Sequence, residues 1–196
     1  MKILSIDVDY AFSPDISKYD DYVCGSSLSH EEEWKVLSDK GFSKPKVNRE
    51  KLADLHFVYN QALKSTDQVF FIDHHHEIVS NLDSSMCYDV VNFDHHHDIF
   101  YPGWHDKSVL DEGNWVNWLD ASGLLSSYTW YRNIDSEDLD PSVFLSCQYG
   151  EKFYDADPLP QFDKVFVCSS PNWIHEDNIY VLDGFKNGVV DGKICL

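Results

Sequence analysis

Three short clusters hold the residue types that do metal chemistry: Asp7-Val8-Asp9, Asp73-His74-His75-His76-Glu77 and Asp94-His95-His96-His97-Asp98. Alternate residues of an extended chain point the same way. Asp-x-Asp therefore presents two carboxylates together, and Asp94-x-His96-x-Asp98 presents three donors. Six of the ten histidines fall into the two triplets, each preceded by Asp and followed by an acid. Four carboxylates and two imidazoles would offset much of the charge of two divalent ions. This mixed hard oxygen and nitrogen set suits Mn²⁺, with Zn²⁺, Fe²⁺ or Co²⁺ as competitors. Each cluster alone has a plainer reading, because Asp-x-Asp after a strand is common and a lone His triplet can be a solvated loop with adventitious metal affinity. Two triplets placed directly after apolar runs, joined by Asp-x-Asp, point to a metal site.

The clusters need elements that deliver them to one place. Lys2–Asp7 (KILSID), Gln68–Ile72 (QVFFI) and Tyr88–Phe93 (YDVVNF) are apolar, β-favouring runs that end at acids, as buried strands do. Further strands are predicted at Ser127–Tyr131, Val143–Cys147, Lys164–Cys168 and Ile179–Leu182. Asn48 is a plausible N-cap for an amphipathic helix over Arg49–Lys64, where Leu52, Leu55, Val58 and Ala62 recur at helical spacing. A short helix is expected at Glu31–Ser38, and another over Gly113–Leu125 with Trp115, Trp118 and Leu119 on one face. Strands alternating with helices favour an α/β domain, residues 1–196 in one unit, with a mostly parallel sheet flanked by helices in three layers. Ligands of such sheets bind beyond the carboxyl ends of the strands, where the acids and histidines fall.

Composition narrows the function classes. The chain has 196 residues, 15 Lys+Arg against 34 Asp+Glu and a formal charge of −19, with 43% hydrophobic residues. That is enough to bury a core, and so acidic a surface argues against nucleic-acid binding, which needs clustered cations on phosphates. The apolar run after Met1 meets Asp7 too soon for a signal peptide or membrane span, and no later stretch is long enough. Cys24, Cys87, Cys147, Cys168 and Cys195 are odd in number, widely spaced and form no CxxC. A reducing, cytoplasmic setting with thiols outside the metal chemistry is the expectation.

Asp94-His95-His96-His97-Asp98 fits the DxHxD signature of the arginase and agmatinase superfamily, and Ser5-Ile6-Asp7-Val8-Asp9 resembles its SxDxD segment. In ordinary ureohydrolases Asp-x-Asp lies near the C-terminus, whereas here it comes first. The permuted order, the two histidine-rich strand ends and Gly113-Asn114-Trp115 together resemble the peptide arginase family. The likeness covers residues 1–10 and 68–132, with a fainter echo at Cys168–Ile174. It implies an arginase-like fold, two Mn²⁺ per chain, and conversion of arginine within a peptide or protein to ornithine with release of urea. It further implies that Asp7 and Asp94 bridge the ions, that Asp9 and His96 complete one site, and that Asp98 and a histidine of the first triplet complete the other. Relatives with His-x-Glu at that strand end favour His75 and an arginase-like Asp-His match favours His74; His75 is taken as the ligand.

The mechanism so implied has hydroxide attack the guanidinium carbon while Asp98 carries a proton to the departing amine. A histidine proton shuttle and a guanidinium-holding carboxylate are also expected, and His105 and Glu112 are the nearest candidates. Their plain alternatives are a loop histidine and a helix N-terminal acid. The remaining His74, His76, His95 and His97 are expected behind the ligands, against substrate or in exposed loops. Three rival readings follow. A DHH-type Mn²⁺ phosphoesterase would use the same Asp-His-His triplets, although its distal Gly-Gly-His is absent and Ser5 stands where it has His. An arginase-fold hydrolase of a small guanidino or amide compound would share fold and metals. A non-enzymatic binding protein would close its coordination with no place for water.

Overall fold

The computed structural model describes residues 1–12, 28–99, 101, 109–133, 136, 147–149, 160–171 and 173–187. Six strands, β1 (Lys2–Asp7), β2 (Val69–Ile72), β3 (Tyr88–Phe93), β4 (Leu125–Tyr131), β5 (Cys147–Tyr149) and β6 (Lys164–Cys168), form one sheet. Their order is β2-β6-β1-β3-β4-β5, and every pairing is parallel. The chain is an α/β protein, as its alternating elements predict.

Strand periodicity sorts the sheet's side chains into two cores. Leu4, Ile6, Val91, Phe93, Val165 and Val167 face helices α1 (His30–Asp39), α2 (Arg49–Ala62) and α5 (Tyr180–Lys186). Ile3, Tyr88, Val90, Tyr128, Trp130 and Phe166 face the short helix α3 (Glu77–Ser80) and α4 (Trp115–Ala121). Trp115 and Trp130 are wholly buried, and truncating either would cost about 3–5 kcal/mol. Ser5 and Asp7 continue the Ile3 face of β1, while Asn92 and Asp94 continue the Val90 face of β3. The same alternation that packs the core thus delivers two carboxylates to one edge.

The helix ends have local causes. Ser29 and Glu32 form a reciprocal capping box at α1, and Asn48 Oδ1 accepts from the backbone N–H groups of Glu50 and Lys51 at α2. The helix expected over Gly113–Leu125 is shorter, Trp115–Ala121, because Gly123 at φ +71° terminates it and β4 begins at Leu125. Its inner face carries Trp115, Val116 and Leu119, with Val116 in the place expected for Trp118. The strand expected at Ile179–Leu182 is instead part of α5. Val181, Leu182 and Phe185 lie on one helical face and pack on the core, so period overrides the β preference of Ile-Tyr-Val. Of the strand expected at Val143–Cys147, residues 143–146 lie outside the described residues, and β5 begins at Cys147.

Candidate metal centre

The carboxyl ends of β2, β6, β1 and β3 lie side by side, and the three sequence clusters meet there with a fourth segment, Cys168–Ser170. Asp7 ends β1 and caps a 3₁₀ turn, Val8–Ala11, that carries Asp9 inward; the Asp9 N–H donates to Asp7 Oδ1 at 2.9 Å. Asp7, Asp9, Asp94, Asp98 and His75 are all at most 4% exposed.

Three sets of donor atoms lie within 4.8 Å of one another: Asp9, Asp94 and His96; His75, Asp94 and Asp98; and Asp7, His75 and Cys168. His75 Nδ1 lies 2.7 Å from Asp98 Oδ2, 3.1 Å from Asp94 Oδ2 and 3.5 Å from Asp7 Oδ2. Its other nitrogen, Nε2, is 3.0 Å from Ser5 Oγ, so with Nε2 protonated the Nδ1 lone pair faces the acids. His96 Nδ1 lies 3.0 Å from Asp9 Oδ2 and 3.8 Å from Asp94 Oδ1. Asp94 therefore turns one oxygen to each imidazole.

Supporting bonds fix these side chains. The His96 N–H and Asn92 Nδ2 donate to Asp94 at 2.8 and 3.2 Å, and Trp130 Nε1 donates to the Asp94 carbonyl at 3.0 Å. Trp115 Nε1 donates to Asp98 Oδ2 at 2.7 Å while the Val116 N–H donates to the Asp98 carbonyl at 3.1 Å. Ser170 Oγ donates to Asp7 Oδ2. Asp98 (φ 51°) and Ser170 (φ 42°) are the non-glycine residues with left-handed backbone among those described, and both border the cluster. Such strain persists where surrounding structure enforces it, commonly at sites of function.

Charge in the cluster is out of balance. Burial, then repulsion from Asp9 and Asp94, pushes the Asp7 carboxyl well above its usual range, and burial with Asp98 raises Asp94. Burial alone would lower His75, but Asp7 and Asp94 outweigh it and hold the imidazole well above its ordinary value. Acids and imidazole alike seek positive charge, and among the described residues the ion-pair partners of these carboxylates are His75 and His96. Divalent cations supply that charge, and hard oxygen donors with imidazole fit them. The described donors can therefore hold metal.

Of the expected site residues, Asp7, Asp9, His75, Asp94, His96 and Asp98 converge. His74 does not join them: its Nδ1 lies 3.2 Å from Glu112 Oε2, on a partly exposed edge, with His76 stacked 5.7 Å away. Glu112 thus stands beside the first triplet, and its hydrogen bond raises the His74 pKa. His95 and His97 are buried and held at a pKa of about 4 by burial and by His96. His105 lies outside the described residues. Cys168 corrects the expectation that thiols stand apart, since its sulfur adjoins Asp7 and His75. Burial and the Asp7 carboxylate push the thiol up. Its sequence signal was limited to its place at the end of the strand expected over Lys164–Cys168; the register with Asp7 comes from the structure. Trp115, read as core, also bonds Asp98.

No protein-family model matches the chain, and comparisons with curated proteins and with solved structures give no match. Among the described residues, no helix is long and apolar enough to cross a membrane.

Proposed function

We propose that this protein is a binuclear metallohydrolase, Mn²⁺-dependent, that converts arginine side chains of a peptide or protein to ornithine with release of urea. One observation carries the binuclear part: Asp94 presents Oδ2 to His75 and Oδ1 to His96, the arrangement of a carboxylate shared by two cation positions. Asp9 and His96 would complete one position, and His75 and Asp98 the other, with Asp7 between them. When bound, the ions supply the Lewis acidity that makes water nucleophilic near neutral pH.

The chain's own groups account for the remaining steps. Asp98 Oδ2 receives Trp115 Nε1 and faces His75, which fixes the carboxylate and leaves Oδ1 to take the proton of the attacking water and return it to the departing amine. Addition of water across the guanidinium carbon and cleavage of its bond to the side-chain nitrogen balance as arginine plus water giving ornithine plus urea. Glu112, partly exposed beside His74, would be the carboxylate that holds the guanidinium, and the −19 net charge would favour the approach of cationic peptides to the protein. The arginine specificity rests on the likeness of the ligand motifs to peptide arginases.

The test couples elemental analysis to a urea and ornithine assay with Mn²⁺, on an arginine-containing peptide, free arginine and a phosphodiester. About two metals per chain with urea from the peptide is the expected result. Phosphodiester turnover would replace the reading by the phosphoesterase one, and a chain without metal after reconstitution would overturn it.

A further inference from the structure

We infer that Cys168 contributes a sulfur donor to the His75 side of the metal pair, so that the two cation positions differ in chemistry. The inference rests on the metal-centre reading above and adds a ligand to it. β1 and β6 pair in parallel with Asp7 opposite Cys168, and both side chains emerge on the face that carries His75. The sulfur lies within 4.8 Å of both an Asp7 oxygen and a His75 nitrogen, close to the roughly 4.0–4.6 Å that separates donors on opposite sides of one ion with bonds of about 2.0–2.3 Å. Cys168 is wholly buried, so this sulfur faces the cluster rather than solvent. Its other contacts are the Asp73 carbonyl and Ser170 Oγ, each at 3.4 Å, and the Ser170 backbone.

The two positions then sort metals differently. Asp9, Asp94 and His96 form an oxygen and nitrogen set that suits Mn²⁺, whereas the His75 side, with thiolate in reach, takes thiophilic ions such as Zn²⁺, Co²⁺ or Fe²⁺. On binding, the thiol proton passes to solvent and the sulfur lone pair to the metal, with no change of oxidation state. A mixed-metal pair is the consequence.

Cobalt substitution reads sulfur ligation directly, without any activity assay. The full chain, Cys168→Ser and Cys87→Ser are loaded with Co²⁺, their metal content is measured, and near-ultraviolet spectra are recorded. Cys87 is exposed at the amino end of β3, far along the strand from the cluster, and serves as the control. A sulfur-to-cobalt charge-transfer band in the parent chain and in Cys87→Ser, lost in Cys168→Ser while cobalt remains bound, is the expected result. Cobalt bound to the parent chain without that band overturns the inference and leaves the metal centre standing, whatever the variants do. A band that persists in Cys168→Ser overturns it as well. No cobalt bound to the parent chain refutes the metal centre and this inference together.

Discussion

Ser5→Ala removes one hydroxyl from the second layer of the cluster, and the structure sets the size of its effect. Ser5 and His75 are 0% and 2% exposed, and Oγ lies 3.0 Å from Nε2. With Nδ1 given to a metal, or with the ring charged as Asp7 and Asp94 favour, Nε2 carries a proton and donates it to Ser5 Oγ. Without the hydroxyl a buried N–H has no partner, which costs about 1–3 kcal/mol, and the ring loses the bond that fixes its tautomer. Losing such an orienting partner lowers metal affinity about 10–100-fold, or about 1.4–2.8 kcal/mol. The effect belongs to the His75 position, because His96 takes its orientation from Asp9 and its own backbone bond to Asp94. Titration with Mn²⁺ in competition with a chelator, fitted to two constants, reads it, and urea unfolding of the metal-free chain reads the stability loss. Two unchanged constants, or equal weakening of both, would refute the reasoning that Ser5 holds the His75 ring.

Asp94→Asn keeps the shape of the shared side chain and removes its charge; elemental analysis should find both metals lost, and full occupancy at either position would remove Asp94 from its bridging role. Glu112→Gln should lower the His74 pKa, because the carboxylate that favours its charged form is gone, while metal content stays unchanged. The raised value means the wild-type imidazolium persists to higher pH and its pairing is lost as pH rises through that value; an NMR titration of His74 that does not move would count against the contact. In α5, a Cβ added at Gly184 would meet the His56 ring at 2.8 Å, so Gly184→Ala should destabilise by about 1–3 kcal/mol despite better helix propensity. A higher urea midpoint would show that the ring yields.

The apolar runs that end in acids gave β1 and β3 their expected bounds, and β6, whose run ends at Cys168, has them as well. The acids and histidines that converge were legible for the same reason, since a period of two and a strand end fix where Asp7 and Asp94 emerge. Register and strand order were not. Cys168 joins the cluster because β6 inserts between β2 and β1, a pairing of segments far apart in sequence that no local pattern encodes. Trp115 looked like ordinary core, and its indole N–H finds Asp98 only once α4 packs on the sheet. Val181 and Leu182 were misread because a short run of β-branched and aromatic residues fits either period until its packing partner is known.

The position of β6 also bears on how the protein is made. Among the described residues it is the last strand in the sequence, yet it occupies an interior place and is the link between β2 and the rest of the sheet. Among the described residues β2 pairs with β6, so until Lys164–Cys168 leaves the ribosome the strand that carries His75 is not tied to the one that carries Asp94. Roughly 70 residues separate Asp94 from Cys168, so at about 5–20 residues per second the nascent half-sheet waits several seconds with its acids uncompensated. The Asp9, Asp94 and His96 donors need only β1 and β3, which pair directly, whereas an ion at the His75 position would have to wait for β6 to insert.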